Sequence, residues 1–269
     1  MIKNMKNEYN FNFKKKFGQN FLKDQNILDN IVKKSDIDKD TLVIEIGVGA
    51  GALTFSMNRF AQNVLGYEID ETLKSMLDSK LKQEKNVDII YDDFLNRNVS
   101  NDIKNYKYKK LYVVANLPYY ITTPIITKII NENINVDKIV VMVQKEVGDR
   151  FSAKPGSRDY GSLTIFLNYY FDIKKLFTVS RNCFIPVPNV DSIVVEMNRK
   201  EKKYNVKDEE IFFKLVKDSF KHKRKNLKNN LSNYDLEKVQ NVLSKYNLDL
   251  TVRAEKLTIE QFIDISNSL

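Results

Sequence analysis

The chain has 269 residues, and its 44 Lys and Arg against 35 Asp and Glu leave a formal net charge of +9 at pH 7. That length can bury a sizeable core, in one large domain or in a large and a small one, and the charge favours a polyanionic partner, although an evenly spread excess needs none. One cysteine, Cys183, excludes an intrachain disulfide and a multi-cysteine zinc site, and one histidine, His222, leaves no Ser-His-Asp set and no histidine-based metal centre, so no metal is expected.

A basic run near the N-terminus is surrounded by aromatic residues. The run is Lys14, Lys15 and Lys16, and its aromatic neighbours are Phe11, Phe13, Phe17 and Phe21. Such a mixture suits single-stranded or irregular RNA, because bases stack on rings while cations meet phosphates. An N-terminal arm whose phenylalanines pack onto the domain explains the same pattern, and both explanations can hold together.

Short apolar strands alternate with helical segments from Thr41 to about Arg199, which predicts βαβ units and a mainly parallel sheet. The spacing of apolar residues predicts helices such as Glu71–Gln83 and Thr123–Asn131. A short loop that contains prolines joins the last two strands, so a terminal hairpin with one antiparallel strand is expected. The predicted strands are Leu42–Ile46, Val64–Ile69, Val87–Tyr91, Leu111–Ala115, Ile139–Val143, Lys174–Val179 and Ser192–Met197.

The first of these strands runs into a glycine-rich turn. Gly47, Gly49 and Ala52 satisfy the spacing G-x-G-x-x-G/A, and Gly51 lies between the last two. Glycines at such a turn let the backbone approach a ligand closely. This pattern alone does not separate a nicotinamide enzyme from a methyltransferase. The next strand ends at Glu68, whose carboxylate is expected to bond the ribose hydroxyls of a nucleotide-like ligand in either class.

Two further polar groups follow later strands. Asp93 comes after the third strand, where its carboxylate can receive an adenine amine, and Asn116 follows the fourth. Ligands of open α/β sheets bind at the carboxyl ends of the strands. Gly47, Glu68, Asp93 and Asn116 are therefore expected at one edge of the sheet.

The turn Asn116-Leu117-Pro118-Tyr119 carries the most specific chemistry in the chain. The Asn116 side-chain oxygen and the Leu117 carbonyl are two acceptors for an amine, Pro118 stiffens the turn, and the Tyr119 ring offers a stacking face. An exocyclic amine of adenine is a poor nucleophile, and two acceptors favour the form in which positive charge develops in the transition state. A plain strand-to-helix turn is the alternative when this motif is taken by itself.

The pattern changes after Arg199. Helically spaced apolar residues predict a small helical domain over residues 201–269, and Thr258 with Gln261 forms a capping box. This part contains no chemical motif, so docking is its expected task. The basic run Lys221, Lys223, Arg224 and Lys225 is expected to contact RNA phosphates. A solvated helix face is the alternative reading of that run.

Taken in order, these motifs resemble those of S-adenosylmethionine-dependent adenine-N6 methyltransferases, and more narrowly those of the small-subunit ribosomal RNA adenine dimethyltransferases. The resemblance covers nearly the whole chain. The motifs are Phe17-Gly18-Gln19-Asn20-Phe21-Leu22, Glu45-x-Gly47-x-Gly49-x-Gly51, Glu68, Asp93, Asn116-Leu117-Pro118-Tyr119, Val143-Gln144-Lys145-Glu146-Val147, Lys154-Pro155-Gly156-Ser157-Arg158-Asp159-Tyr160-Gly161, Phe184-Ile185-Pro186-Val187-Pro188-Asn189-Val190-Asp191-Ser192 and Arg253-Ala254-Glu255-x-Leu257.

The resemblance implies a Rossmann-like class I methyltransferase fold, an α/β sheet of seven mostly parallel strands with the last one antiparallel, followed by a small helical domain. The change of pattern after Arg199 divides the chain into residues 1–200 and 201–269. S-adenosylmethionine would be the cofactor, bound by Asn20 and Leu22 as well as by the glycine turn, Glu68, Asp93 and Asn116. Phe184 would cover the second face of the target base.

The implied reaction is the dimethylation of two adjacent adenines near the 3′ end of small-subunit ribosomal RNA. The expected substrate is a partly assembled small subunit, and the enzyme is expected to be a monomer. Antibiotic-resistance methyltransferases of large-subunit RNA share the turn at Asn116 and stay as one alternative. A mainly structural ribosome-assembly factor and a nicotinamide oxidoreductase are the others, and the last gives no account of Asn116 to Tyr119.

No stretch approaches 18 apolar residues, so a membrane span is not expected. The N-terminal residues contain lysines and asparagines but no apolar segment of a secretory signal. The sequence therefore predicts a cytoplasmic protein.

Overall fold

The structure is a computed structural model that describes residues 19–201 and 204–269. The predicted RNA-binding residues Lys14, Lys15 and Lys16 lie outside the described residues. The chain folds into two compact units. The first runs to Gly148 and includes Lys174–Arg199, and the second consists of Asp149–Ile173 and Lys200–Leu269.

The first unit is built on the alternating strands and helices that the sequence predicts. Its strands are β1 (Phe21–Leu22), β2 (Thr41–Ile46), β3 (Asn63–Tyr67), β4 (Val87–Ile90), β5 (Lys110–Asn116), β6 (Lys138–Gln144), β7 (Phe171–Val179), β8 (Phe184–Ile185) and β9 (Ser192–Arg199). The first three residues of β7 belong to the second unit. Its helices are α1 (Gln25–Ser35), α2 (Ala52–Met57), α3 (Lys74–Leu81), α4 (Val99–Ile103), α5 (Thr122–Asn131) and α6 (Lys145–Phe151), which crosses into the second unit.

Seven strands form one sheet in the order β4-β3-β2-β5-β6-β9-β7. The pairs β2–β3, β3–β4, β2–β5 and β5–β6 are parallel, and β9 runs antiparallel to β6. The predicted class, a mostly parallel sheet with its last strand antiparallel, is confirmed. Every residue of β2 is buried, as expected for an internal strand of a sheet that is covered on both faces, and four of its six residues are apolar.

The predicted helix Glu71–Gln83 is shorter in the structure. A 3₁₀ turn occupies Glu71–Leu73, and α3 ends at Leu81. The Asp70 side chain accepts a hydrogen bond from the Thr72 amide (3.2 Å) and so caps the turn. The first helical turn is therefore tightened beside the end of β3.

The connection between β7 and β9 is more ordered than the expected short loop. It holds a 3₁₀ turn, Arg181–Cys183, and then β8, which pairs antiparallel with β1. In this pairing Leu22 lies opposite Phe184. Both side chains are buried in the same core cluster of the first unit. The two-stranded pairing thus joins the N-terminal motif to the proline-containing motif, across more than 150 residues of chain.

The second unit has its own core. Its helices are α7 (Ser162–Tyr170), α8 (Glu209–Ser219), α9 (Leu227–Asn230), α10 (Leu236–Ser244) and α11 (Ile259–Ser268). Phe212, Leu215, Leu243 and Phe262 are fully buried there. The predicted capping box is present, since the Thr258 amide donates to Gln261 Oε1 (2.9 Å) and the Gln261 amide to Thr258 Oγ1 (3.4 Å).

The unit boundary differs from the expected division at residue 200 in one respect. Asp149–Ile173, which contains α7, clusters with the C-terminal helices because Ile165 and Tyr169 pack into their core. Among the described residues, no helix has the length and apolar character needed to cross a membrane.

Candidate active site

A cavity of about 200 Å³ opens at the carboxyl ends of the central strands. It gathers predicted site residues from separate motifs: Asn20, Leu22, Gly47, Gly49, Glu68, Asn116, Leu117, Pro118 and Tyr119. Residues to which the sequence gave no role also line it, among them Gln19, Lys23, Gln25, Glu45 and Ile69. The expectation that polar groups at successive strand ends meet at one edge therefore holds for Glu68 and Asn116.

The glycine turn shapes one wall of this cavity. Gly47, Gly49 and Gly51 all have positive φ values, of 80°, 58° and 80°, which L side chains rarely adopt. A Cβ added at Gly49 would lie 2.6 Å from Cε1 of the Phe21 ring. Glycine at this position thus allows the N-terminal motif to close over the turn. Gly51 precedes α2 and completes the turn without lining the cavity.

Glu68 holds the glycine turn to the end of β3. Its Oε2 accepts a hydrogen bond from the Gly49 amide (2.7 Å), and its Oε1 accepts one from the Asp70 amide (2.8 Å). The side chain is almost completely buried, and burial raises the pKa of its carboxyl, opposed by these amide hydrogen bonds. The carboxylate therefore organises the turn and presents acceptor oxygens to the cavity.

Glu45 is a second buried acid at the cavity, on β2. The Thr54 hydroxyl donates to its Oε2 at 2.5 Å. Burial raises the pKa of Glu45 to about 8, the Thr54 hydroxyl opposes this shift, and the charge of Glu68 adds to it. Glu45 belongs to the glycine motif, but no role is predicted for it from the sequence; a carboxylate inside an otherwise apolar strand was the available signal.

The Asn116 side chain is oriented by the N-terminal motif. Its Nδ2 donates a hydrogen bond to the main-chain oxygen of Asn20 (3.1 Å). A carbonyl oxygen only accepts, so the amide nitrogen must face Asn20 and the side-chain oxygen must face away from it. Asn116 Oδ1 is thus left as an acceptor at the cavity.

The rest of the turn is held rigidly. The Leu117 amide donates to the Met142 carbonyl (3.1 Å), while the Pro118 carbonyl accepts from the Ile121 amide and the Thr122 hydroxyl, each at 3.2 Å. Within the described part of the chain, no hydrogen bond ends on the Leu117 carbonyl oxygen. That oxygen is the second acceptor that the sequence predicts.

Tyr119 is the aromatic member of the turn and is half-buried. Its hydroxyl lies 2.7 Å from Ser192 Oγ, at the start of β9, and either group can donate. Burial raises the pKa of the Tyr119 hydroxyl, so it stays protonated at neutral pH. Ser192 is fully buried and ends the proline-containing motif, yet the sequence gives it no role.

Besides Gly51, the predicted site residues Phe184 and Asp93 do not line the cavity. Phe184 has no exposed surface and packs in the core of the first unit, where it anchors the proline-containing loop. Asp93 Oδ1 accepts a hydrogen bond from the Leu95 amide (2.9 Å) and caps a 3₁₀ turn, Phe94–Asn96. Stacking by Phe184 and cofactor binding by Asp93 stay predictions.

Gln19 and Gln25 are additional polar residues beside the cavity. Gln19 Nε2 donates to Asp70 Oδ2 (2.7 Å), two residues after Glu68, and Gln25 Nε2 donates to Ser56 Oγ (3.0 Å), which joins α1 to α2. The motif around Phe21 was the only signal for Gln19, and nothing in the sequence pointed to Gln25.

The predicted basic run belongs to the second unit. Lys221, Lys223, Arg224 and Lys225 are exposed and lie in the connection between α8 and α9, so they do not form a helix face. Among the residues that the structure describes, no group of three or more His, Cys, Asp or Glu could hold a metal ion.

The cavity suits a cofactor that has a positive charge and a nucleoside part. Two buried carboxyl groups, Glu45 and Glu68, supply acceptor oxygens that suit hydroxyl or amine donors, and a bound cation would favour their charged form. Val48, Leu53 and Ile69 supply apolar walls for a base. S-adenosylmethionine has a sulfonium, an amine, a ribose and an adenine, so the residues present fit it.

Comparison with known proteins agrees with this chemistry. The family model described as ribosomal RNA adenine dimethylase matches residues 10–269. A relative from Staphylococcus aureus (strain JH9), ribosomal RNA small subunit methyltransferase A, is 46% identical over 264 residues, which cover 95% of this chain and 89% of that protein.

Two solved structures share the fold across nearly the whole chain. A dimethyladenosine transferase from Plasmodium falciparum has a TM-score of 0.75 at 25% identity, covering 91% of this chain and 95% of the other. The 23S rRNA methyltransferase ErmE has a TM-score of 0.73 at 24% identity, covering 93% and 99%. The chain is an S-adenosylmethionine-dependent methyltransferase of ribosomal RNA and belongs to the ribosomal RNA adenine dimethylase family.

Proposed function

We propose that this protein dimethylates the N6 amines of two adjacent adenines in the 3′-terminal hairpin of small-subunit ribosomal RNA. The observation that carries the proposal is the hydrogen bond from Asn116 Nδ2 to the Asn20 carbonyl, which leaves Asn116 Oδ1 as an acceptor at the cavity. An acceptor beside a cofactor pocket is what an amine substrate needs. The 46% identical relative, named for the small subunit, supports the choice of RNA.

S-adenosylmethionine supplies the methyl group when it is bound. We assign its ribose hydroxyls to Glu68 and its adenine amine to Asp93. The glycine turn brings main chain close to the ligand, and Asn20 and Leu22 form the facing wall. The remaining assigned residues are Gly47, Gly49, Gly51 and Asn116.

The chain's own contribution to the reaction is alignment and charge stabilisation. Asn116 Oδ1 and the Leu117 carbonyl accept the two N–H groups of the target amine, which directs its lone pair toward the methyl donor. Positive charge grows on that nitrogen in the transition state, so both acceptors bind it more strongly there than in the ground state. Pro118 fixes the turn that carries them.

The target base must leave its helix or loop to reach these acceptors. Tyr119 then stacks on one face of the base, with its ring held by the hydrogen bond to Ser192. Phe184 would cover the opposite face, which requires its ring to move out of the core position that it now occupies.

We propose a partly assembled small ribosomal subunit in the cytoplasm as the substrate and a monomer as the active form. Arg224 and its basic neighbours would contact the RNA backbone, as would Lys14, Lys15 and Lys16 of the N-terminal run.

The test is mass spectrometry of ribosomal RNA from particles that lack these modifications, after incubation with the protein and S-adenosylmethionine. We expect two adjacent dimethyladenosines in small-subunit RNA, and far less of this product with Asn116→Ala after the same incubation time. Methylation of large-subunit RNA instead would assign the protein to the alternative target. Stimulated subunit assembly without any methylated product would make it an assembly factor.

A further inference from the structure

One motif takes no part in the active site described above. The loop Lys154 to Tyr160 is exposed up to Asp159 and belongs to the second unit. The Ser157 amide and hydroxyl both donate to the Lys154 carbonyl, at 3.1 and 2.7 Å. Gly156 has a φ of +86°, which only glycine adopts readily. The loop is therefore a hydrogen-bonded turn and not an extended connection.

Three contacts attach this loop to elements far along the chain. Tyr160 is buried and packs edge-on against Phe220, the residue before the basic run, with ring centroids 6.2 Å apart. The Gly156 amide donates to the Glu255 carbonyl at 2.6 Å. Lys223 Nζ donates to the Arg158 carbonyl at 2.8 Å. The loop and the basic run are thus held side by side within one unit.

The attachment concentrates positive charge on this part of the second unit. The exposed cations are Lys154, Arg158, Lys221, Arg224, Lys225 and Lys256. A Cβ at Gly156 would lie 3.5 Å from Lys256 Nζ, so that ammonium group is beside the loop. Asp159 is the exposed acid of the loop. Within the described ranges, none of these six cations forms an ion pair.

Lys223 differs from its neighbours in the run. Its ammonium group is committed to the Arg158 carbonyl, whereas the structure gives Lys221, Arg224 and Lys225 no side-chain partner among the described residues. A lysine that bridges two loops fixes their separation. The other cations then project from a surface of set shape.

We propose that the loop Lys154 to Tyr160 and the run Lys221 to Lys225 form one surface that binds the phosphate backbone of RNA, with Lys223 as the brace between them. Arg158 contacts phosphate although it lies 65 residues from the run. Unpaired cations on a fixed turn suit a regularly spaced polyanion. This inference rests on the proposed function for its RNA partner.

The test measures affinity for a small-subunit ribosomal RNA fragment as a function of salt concentration. Arg158→Gln should reduce the slope of log affinity against log salt by about 0.7 to 0.9, the value for one lost phosphate contact. Lys245→Gln is the matched control, since it removes an exposed charge of the same unit outside this surface; its slope should equal that of the wild type. Lys154→Gln repeats the test should Arg158→Gln fail to fold.

The brace needs a separate measurement. Lys223→Met should increase amide hydrogen exchange across residues 154–159, and Lys223→Arg should restore the protection because its guanidinium can donate to the same carbonyl. Arg158→Gln should leave exchange there unchanged, since Lys223 binds the main chain of residue 158. Unchanged amide exchange in Lys223→Met would show that Lys223 does not hold the loop in place.

Outcomes for the two proposals are distinguishable. If the wild-type protein methylates small-subunit RNA while Arg158→Gln and Lys154→Gln keep the full salt slope, the proposed RNA-binding surface is overturned. The proposed function is then left intact. A wild-type protein that neither binds nor methylates that RNA would overturn both. Arg158→Gln could keep the wild-type salt slope on naked RNA and yet bind the subunit particle more weakly. That result would show that a ribosomal protein contacts this surface, and it would overturn the proposal that the surface binds RNA.

Discussion

The Tyr119 hydroxyl lies 2.7 Å from the Ser192 hydroxyl, although 73 residues separate them in the chain. This contact ties the turn that presents Asn116 to the first residue of β9. Because β9 pairs with β6 and β6 with β5, the ring is fixed by neighbouring strands of the same sheet. Ser192 is therefore a positioning residue for the ring that is proposed to stack on the target base.

We expect Ser192→Ala to lower the single-turnover methylation rate by roughly 2- to 10-fold, since a lost hydrogen bond costs about 0.5–1.5 kcal/mol. Tyr119→Phe removes the same bond from the other side. The double variant should lose no more than either single variant, because the two changes share one interaction. Additive losses would show that the two hydroxyls act independently. S-adenosylhomocysteine binding, measured by calorimetry, should stay constant throughout.

Asn116→Ala should lower methylation by about two to three orders of magnitude, because losing one transition-state hydrogen-bonding group costs roughly 2.7–4 kcal/mol. Affinity for S-adenosylmethionine should change by only a few fold. Single-turnover kinetics on the small-subunit RNA and calorimetry on the cofactor separate these effects. Weaker cofactor binding with unchanged turnover would leave Asn116 with a role in cofactor binding only.

Glu68→Ala should weaken cofactor binding more than it slows methyl transfer, which is the opposite of Asn116→Ala. The bonds of Glu68 to the Gly49 and Asp70 amides, and the proposed bonds to ribose, are present in both ground and transition states. The KM for S-adenosylmethionine should therefore rise more than kcat falls. Glu68→Gln keeps one acceptor oxygen and should be intermediate. Normal cofactor titration combined with lost chemistry would contradict this assignment.

Glu45 should make stability depend on pH. Its pKa in the folded protein, about 8, exceeds the ordinary value of 4.5, so between these values the folded state holds a proton that the unfolded chain releases. Stability should fall as pH rises from about 4.5 and should level off above about 8. Glu45→Gln stays neutral and should flatten this dependence, measured by urea unfolding at several pH values without cofactor.

The matched control for Glu45 is Asp38→Asn. The hydrogen bond from Lys110 lowers the pKa of Asp38 to about 2, below its ordinary value of 3.8. The stability that the Asp38 carboxylate contributes is complete above about pH 4 and is lost only as pH falls toward 2. Asp38→Asn should therefore leave the dependence of stability on pH between 5 and 8 unchanged. Burial also raises the pKa of Glu68, so the stability of Glu45→Gln should still depend on pH to some extent. A slope in Glu45→Gln equal to that of the wild type would refute the role of Glu45.

The sequence by itself determined the features that depend on local or periodic patterns. Apolar strands alternating with helices predicted the parallel sheet, because strand and helix periodicities are properties of the segment alone. The capping box at Thr258 was predicted because its two partners are only three residues apart. The glycine turn was predicted because its glycines lie within a few residues of one another, and the positive φ values that the turn requires favour glycine.

Tertiary structure decided what depends on residues distant in the chain. The pairing of Leu22 with Phe184 buried a ring that the motif had assigned to the site, and the core of the C-terminal helices took in Asp149–Ile173. The contacts of Tyr119 with Ser192 and of Lys223 with the Arg158 carbonyl follow no periodicity in the sequence. Such pairings arise only when separate elements pack, since the partner of a polar side chain is set by the fold and not by its neighbours in the chain.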